Sequence, residues 1–126
     1  MCDTVMHESI VGRAQADGRI AIHTHNIRDY TQDKHRRVDD YPYGGGCGML
    51  MQAQPIYDCC AEIARQQKEE LGEDTPTHVV FMTAAGGRYD QEKCKRLAQL
   101  PCLTLVCGHY EGIDQRVIDA IADEEL

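Results

Sequence analysis

The chain lacks an excess of basic charge: 13 Lys and Arg stand against 21 Asp and Glu, leaving a formal net charge of -8. Proteins that hold nucleic acid by bulk attraction carry the opposite balance, so any grip on a polyanion here must be local. Long apolar runs are missing too. None approaches the roughly 20 residues needed to cross a bilayer, and nothing near Met1 resembles an apolar signal region, so no membrane association is expected and a cytoplasmic location is the default. The cysteines lack any Cys-x-x-Cys spacing, and their number, seven, is odd. Both facts argue against a disulfide framework or a zinc knuckle. Cys59, Cys60, Cys94, Cys102 and Cys107 fall in apolar periodic segments, where a free thiol behaves as a small buried hydrophobe. Neither an internal repeat nor a low-complexity tract interrupts the chain.

What remains is ordinary for one soluble domain: 126 residues, 42% hydrophobic and 27% charged, enough for a modest core. The pattern predicts a helix over 3–16 with Val5, Met6, Ile10 and Ala14 near one face, ended by Gly18. Alternation of Ile20, Ile22 and Thr24 predicts a short strand over 19–25. Residues 26–48 have no hydrophobic period and read as a long loop, of a length that is functional or disordered in compact domains; its His, Arg and Tyr favour function. A helix over about 54–71 follows, with Pro55 in its first turn, Ile56, Cys59, Cys60, Ile63, Ala64 and Leu71 inward, and Gly72 as terminator. His78–Thr83 reads as a buried strand. Asp90 caps a helix reaching about Leu100, Cys102–Cys107 is a second continuous apolar strand, and a last helix begins near Asp114. Two unbroken apolar strands separated by a helix imply a right-handed βαβ unit, hence an α/β fold whose parallel sheet is covered by helices on both faces.

In such a sheet ligands bind at the carboxyl ends of the strands. Thr83 to Gly87 and Gly108 to Gly112 occupy those positions and should lie side by side. Glycines there allow a ligand to rest against bare backbone, although turn glycines are common and Gly86, Gly87, Gly108 and Gly112 can equally do no more than make turns. Glu111, beside Tyr110, is placed to accept hydrogen bonds from a ligand hydroxyl or amino group, or to be a solvated turn residue. The segment 33–40 concentrates Lys34, His35, Arg36 and Arg37 beside Asp33, Asp39 and Asp40. It can hold phosphates while the rest of the chain stays acidic, or it is a solvated loop whose charges cancel. Tyr41 and Tyr43, next to Gly44, Gly45 and Gly46, are suited to stack on an unpaired base; the competing view is a hinge. Of the histidines only His23 and His25 have a spacing usable by a metal, and with no third ligand nearby no metal site is expected.

Two of these stretches, Asp33-Lys34-His35-Arg36-Arg37-Val38-Asp39-Asp40-Tyr41-Pro42-Tyr43-Gly44-Gly45-Gly46-Cys47-Gly48-Met49 and Val106-Cys107-Gly108-His109-Tyr110-Glu111-Gly112-Ile113-Asp114, resemble motifs of the bacterial tRNA (guanine37-N1)-methyltransferases. They stand in the family's order, and the resemblance spans essentially the whole chain. It implies a trefoil-knotted SPOUT fold and a homodimer that binds S-adenosyl-L-methionine and tRNA rather than DNA. By that resemblance Gly108, Tyr110, Glu111, Thr83, Ala84 and Gly86 belong to the cofactor pocket, and His35, Arg36, Arg37, Asp40, Tyr43, Gly44 and Gly45 to the tRNA-binding loop. The chemistry implied is in-line attack of guanine N1 on the methyl group, with an aspartate as general base.

Departures from the family pattern are equally specific. Family members carry a strand ending in a Phe-Pro-Glu-Met-Phe-like sequence before the first helix. Past the position of Leu126 they continue into a Ser-Ile-Gly-Asp loop, a linker with the catalytic aspartate and a tRNA-binding helical domain. The 126 residues are therefore expected to be a partial catalytic domain, inactive alone, with no residue here assigned as the base. Ala84 and Ala85 stand where Pro and Gln are frequent, Cys47 where Pro is usual and His109 where Arg is frequent. A non-catalytic RNA- or nucleotide-binding module built on the same fold is the alternative reading, and a reading frame recorded only in part is another.

Overall fold

The computed structural model describes residues 2–40, 49–108 and 112–126. The helices are α1 (Cys2–Met6), α2 (Ser9–Ala16), α3 (Ala53–Leu71), α4 (Gln91–Ala98) and α5 (Gln115–Ile121), with a short 3-10 turn at Ile27–Tyr30. The strands are β1 (Asp39–Asp40), β2 (Leu50–Met51), β3 (Val79–Met82), β4 (Thr104–Cys107) and β5 (Glu124–Glu125).

The centre is the expected βαβ unit. β3 and β4 are parallel, with Val79 opposite Thr104 and Met82 opposite Cys107, and α4 connects them. β5 pairs parallel on the other side of β3, giving the order β4-β3-β5. Continuous apolar sequence makes β3 the central strand because both of its faces need cover: Val80 and Phe81, which point to opposite faces, are each fully buried. On the Phe81 face the core gathers Val106, Ile56 and Cys60 of α3, Val117 and Ile118 of α5, and Val38 and Met51 from the loop strands. The other face carries α4, so helices lie on both faces as expected, although the cover on this side is incomplete. Met82 and Leu105 are 43% and 56% exposed, lining an open apolar groove with Leu97. A helix of eight residues is too short to roof a strand pair and the flanking turns at once.

α3 forms where the 3.6-residue period is cleanest. Ile56, Cys59 and Cys60 are buried, and Arg65 bridges Glu62 and Glu69 on the outer face. Burial pushes the Cys59 and Cys60 thiols up to about 11, which leaves them inert packing groups. Leu71, expected to point inward, is 54% exposed, as is the rest of the last turn of α3 from Lys68 on. The thiol expectation also needs correction: Cys94 and Cys102 are only half-buried, and Cys107 at the end of β4 is exposed.

Two expectations fail near the start of the chain. The single helix over 3–16 is broken between Met6 and Ser9, where Ser9 takes a left-handed φ of 55°. Gly12 permits the break: a Cβ there would lie 2.2 Å from the His7 carbonyl oxygen. The strand over 19–25 does not form. An alternating pattern only prepares a strand, and among the described residues no other strand offers 19–25 a ladder of backbone hydrogen bonds. The stretch instead runs without regular structure, tied to α1 by Thr24 Oγ1 donating to Asp3 Oδ1 at 2.7 Å. The expected apolar stripe of the first helix finds no core, leaving Val5 and Ile10 exposed.

The 26–48 loop is more ordered at its base than its sequence implies. β1 and β2 form an antiparallel pair, Asp39 opposite Met51 and Asp40 opposite Leu50, and Val38 between the loop and this pair is buried in the core.

Candidate functional site

Because β3 and β4 are parallel and in register, the chain leaves Met82 and Cys107 side by side at the same sheet end. Thr83–Gly87 and Gly108–Gly112 thus start from neighbouring points, as the sequence pattern requires. The first turn is built against the backbone of the C-terminal segment. Thr83 N donates to Leu126 O at 2.8 Å and Gly87 N to Glu125 O at 3.0 Å, while Gly86 N closes the turn onto Thr83 O at 3.2 Å. Gly86 is constrained sterically, since a Cβ there would sit 2.5 Å from the Leu126 carbonyl carbon. Ala84 and Ala85, at the tip, are exposed.

At the second strand end, a Cβ on Gly108 would fall 2.9 Å from the Ile113 side chain. Gly112 has φ 146°, open to glycine and strained for other residues. Tyr110 and Glu111 lie outside the described residues, as do Tyr43, Gly44 and Gly45 of the loop. The two segments are nevertheless joined at their bases. Met51 N donates to Gly112 O and Asp114 N to Met51 O, each at 3.0 Å, so β2 is laced onto the chain that leaves the second turn. Through the β1–β2 pair this brings Asp40 to the same end of the sheet.

A cleft of about 640 Å³ opens at this junction, its walls formed by Asp40, Leu50, Gln54, Asp58, Asp114 and Val117 among others. Asp114 holds Arg116 through a two-pronged ion pair, which keeps its carboxyl below the usual carboxylate range. Asp58 accepts from Gln54 Nε2 at 2.5 Å. In the sequence Asp114 marks only the start of the last helix and the end of the second motif, and neither Gln54 nor Asp58 stands out as a site residue. The signal for Asp114 was present, two residues past Gly112; for the α3 pair there was none, because a polar residue at a helix start looks the same whether it faces solvent or a cleft.

The cationic candidates stand apart from this cleft's lining and are locally paired. Asp33 organises them: its Oδ2 accepts from His35 N at 2.9 Å and Arg37 N at 3.1 Å, and its carboxylate pairs with the Arg37 guanidinium. Those bonds pull Asp33 down to about 2. Arg36 pairs with Asp29, and Arg28 Nη1 donates to Arg36 O at 2.9 Å. The charges do cancel in this state. Exposed pairs of this kind are worth little, so a phosphate can exchange for either carboxylate at small cost. His35 and Lys34 are exposed. Among the described residues no group of His, Cys, Asp and Glu is arranged to hold a metal ion, and no helix is long and apolar enough to cross a membrane.

The family model described as tRNA (Guanine-1)-methyltransferase TrmD matches residues 1–126. A protein of Ruminiclostridium cellulolyticum named tRNA (guanine-N(1)-)-methyltransferase is 46% identical over 124 residues, which cover 98% of this chain and 51% of the relative. A protein of the same name from Limosilactobacillus fermentum is 48% identical over 124 residues, covering 98% and 48%. Among solved structures, the crystal structure of tRNA (m1G37) methyltransferase from Aquifex aeolicus matches with a TM-score of 0.78 at 27% identity, covering 98% of this chain and 52% of that one. The chain thus spans about half the length of the curated relatives it matches.

Proposed function

Given that the chain belongs to the tRNA (guanine-1)-methyltransferase family, we propose that the protein transfers a methyl group from S-adenosyl-L-methionine to N1 of the guanine that follows the anticodon of tRNA. The observation that carries this reading is the meeting, at one sheet end, of the two strand-end turns and the laced base of the 26–48 loop.

The fit of the cofactor to these residues can be judged from the space the glycines leave. At Gly86 that space is taken by the Leu126 backbone and at Gly108 by Ile113, so neither glycine opens a hole. Instead Gly86 lets the first turn pack closely on the C-terminal backbone, and the Ala84–Ala85 tip and Gly108 after Cys107 offer backbone to an adenosine. In this reading Thr83, Ala84, Gly86, Gly108, Tyr110 and Glu111 line the cofactor site. S-adenosyl-L-methionine supplies the electrophilic methyl group on its sulfonium. The chain's own contribution is positioning, which in bimolecular transfers is worth several kcal/mol of barrier. Asp40, in the β1–β2 pair at the base of the loop, and Tyr43, Gly44 and Gly45 are the residues proposed to contact an unpaired base of the tRNA. His35, Arg36 and Arg37 take phosphates by exchanging their present carboxylate partners. None of the 126 residues is assigned as the acceptor of the N1 proton. A cytoplasmic homodimer, with the cofactor in a trefoil loop at the subunit boundary, completes the proposal.

The test uses the longest protein that the gene encodes, given radiolabelled S-adenosyl-L-methionine and two tRNA transcripts differing only in guanine or adenine after the anticodon. Label should enter the guanine transcript alone and be recovered as 1-methylguanosine. Incorporation into both, or recovery as another methylated nucleoside, contradicts the proposal.

A further inference from the structure

β5 is only two residues long, yet both ends of the Thr83–Gly87 turn hang from its backbone and that of Leu126. Asp123 N donates to Val79 O and Leu126 N to Phe81 O, each at 2.9 Å, and Thr83 and Gly87 donate back to the same segment. So short a ladder frays when nothing else holds it. Beside the Asp123 carboxylate, which accepts from Val79 N at 2.8 Å, what holds it is Glu124. Its carboxylate is gripped by the Arg96 guanidinium of α4, with Nη1 3.1 Å from Oε2 and Nη2 on Oε1. On the other side His78 Nε2, just before β3, lies 2.7 Å from Oε2. The Glu124 side chain is 20% exposed and that of Arg96 49%, so their ion pair is partly shielded from the screening that weakens surface pairs, and His78, 22% exposed, covers its other side. The three groups come from three separate elements and converge on the strand that props the turn.

We propose that Glu124, clamped between Arg96 and His78, is a positioning residue for the cofactor site: it holds β5 against β3 so that the Glu125–Leu126 backbone sets the shape of the Thr83–Gly87 turn. This rests on the reading of that turn as a cofactor wall. Glu124 touches no reacting atom. Its effect reaches the ligand through Thr83, whose N–H and Oγ1 bond Leu126 O and Glu125 Oε1, and through Gly86, which packs on Leu126. Loss of the clamp therefore loosens one turn and leaves the β3–β4 ladder intact.

The experiment compares the longest encoded protein with its Glu124→Gln and Arg96→Met variants, the second acting through the more exposed partner in case the first folds poorly. Two quantities are read: hydrogen exchange at the Thr83 and Gly87 amides, and the dissociation constant for S-adenosyl-L-methionine without tRNA. Exchange at those two amides should rise at least about tenfold, the effect of losing a charge-assisted hydrogen bond, while the β3–β4 ladder is unchanged. Cofactor affinity should fall about tenfold, with the methylation rate at saturating cofactor within about twofold of the parent. Unchanged exchange at the two amides, uniformly faster exchange across the sheet, or unchanged affinity each overturns the proposal. Failure of the parent protein itself to bind S-adenosyl-L-methionine overturns the cofactor reading instead, whatever the two amides do.

Discussion

At the scale of single residues, the site is governed by what glycines permit and what carboxylates hold. Gly86→Ala places a methyl group inside the Leu126 backbone, so the turn or β5 must move. The expected outcome is a loss of about 1–3 kcal/mol in stability, the usual size of an overpacking strain, with a larger proportional loss of cofactor affinity; urea denaturation and calorimetric titration check the two parts. Glu124 adds a pH dependence whose sign follows from its bonds. Hydrogen bonds from Arg96 and then His78 lower its carboxyl from 4.5 to about 2. A lowered folded-state value contributes stability that is present above the ordinary value and lost as pH falls from there through about 2. Denaturation midpoints taken across that acid window should drop in the parent protein and change less in Glu124→Gln. These residues also divide what was legible in the chain from what was not. Gly86 and Gly108 were visible as turn glycines at strand ends. Glu124 was invisible, because a glutamate near a helix end takes its role only from Arg96, 28 residues away, and His78, 46 residues away.

At the scale of elements, periodicity served well where an element is buried and poorly where it is not. β3, β4, α3, α4 and α5 lie close to their expected bounds because each carries apolar side chains that meet a partner, and Asp90 caps α4 by accepting from Lys93 N at 2.9 Å. Residues 19–25 carry a similar alternation but pair with no described strand, and Val5 and Ile10 show a stripe without a core behind it. A pattern of side chains states which face prefers burial; whether anything covers that face is a property of the rest of the fold. The central strand should dominate stability accordingly. Phe81→Ala, at a fully buried position, is expected to cost about 3–5 kcal/mol, whereas Leu71→Ala, at an exposed one, should lie within about 0.5 kcal/mol of the parent. Chemical denaturation of the two variants side by side tests the assignment of the core to β3.

At the scale of the whole molecule, a net charge of -8 sets how RNA can be held. Under the proposed function the attraction comes from the short cationic run at 34–37, where Arg36 and Arg37 are at present satisfied by Asp29 and Asp33. Neutralising a phosphate releases its counterions, so replacing Arg36 and Arg37 together by alanine should weaken tRNA binding. The same change should flatten the salt dependence by about one unit of log–log slope for every phosphate no longer neutralised. Filter binding across a salt series measures both. An unchanged slope would place the RNA elsewhere on the surface. The loop's place beside the second turn was not readable from its composition; it follows from the lacing of Met51 to Gly112 and Asp114, which only the folded chain displays.

The proposed methyl transfer depends most on the two neighbouring strand ends forming one wall of a cofactor site. Backbone amide NMR on the longest encoded protein, titrated with S-adenosyl-L-methionine alone, tests that wall most directly. Saturable shifts should appear in both 83–87 and 108–112 while the exposed face of α3 stays still. A saturating ligand that moves resonances elsewhere and leaves both turns untouched would contradict it.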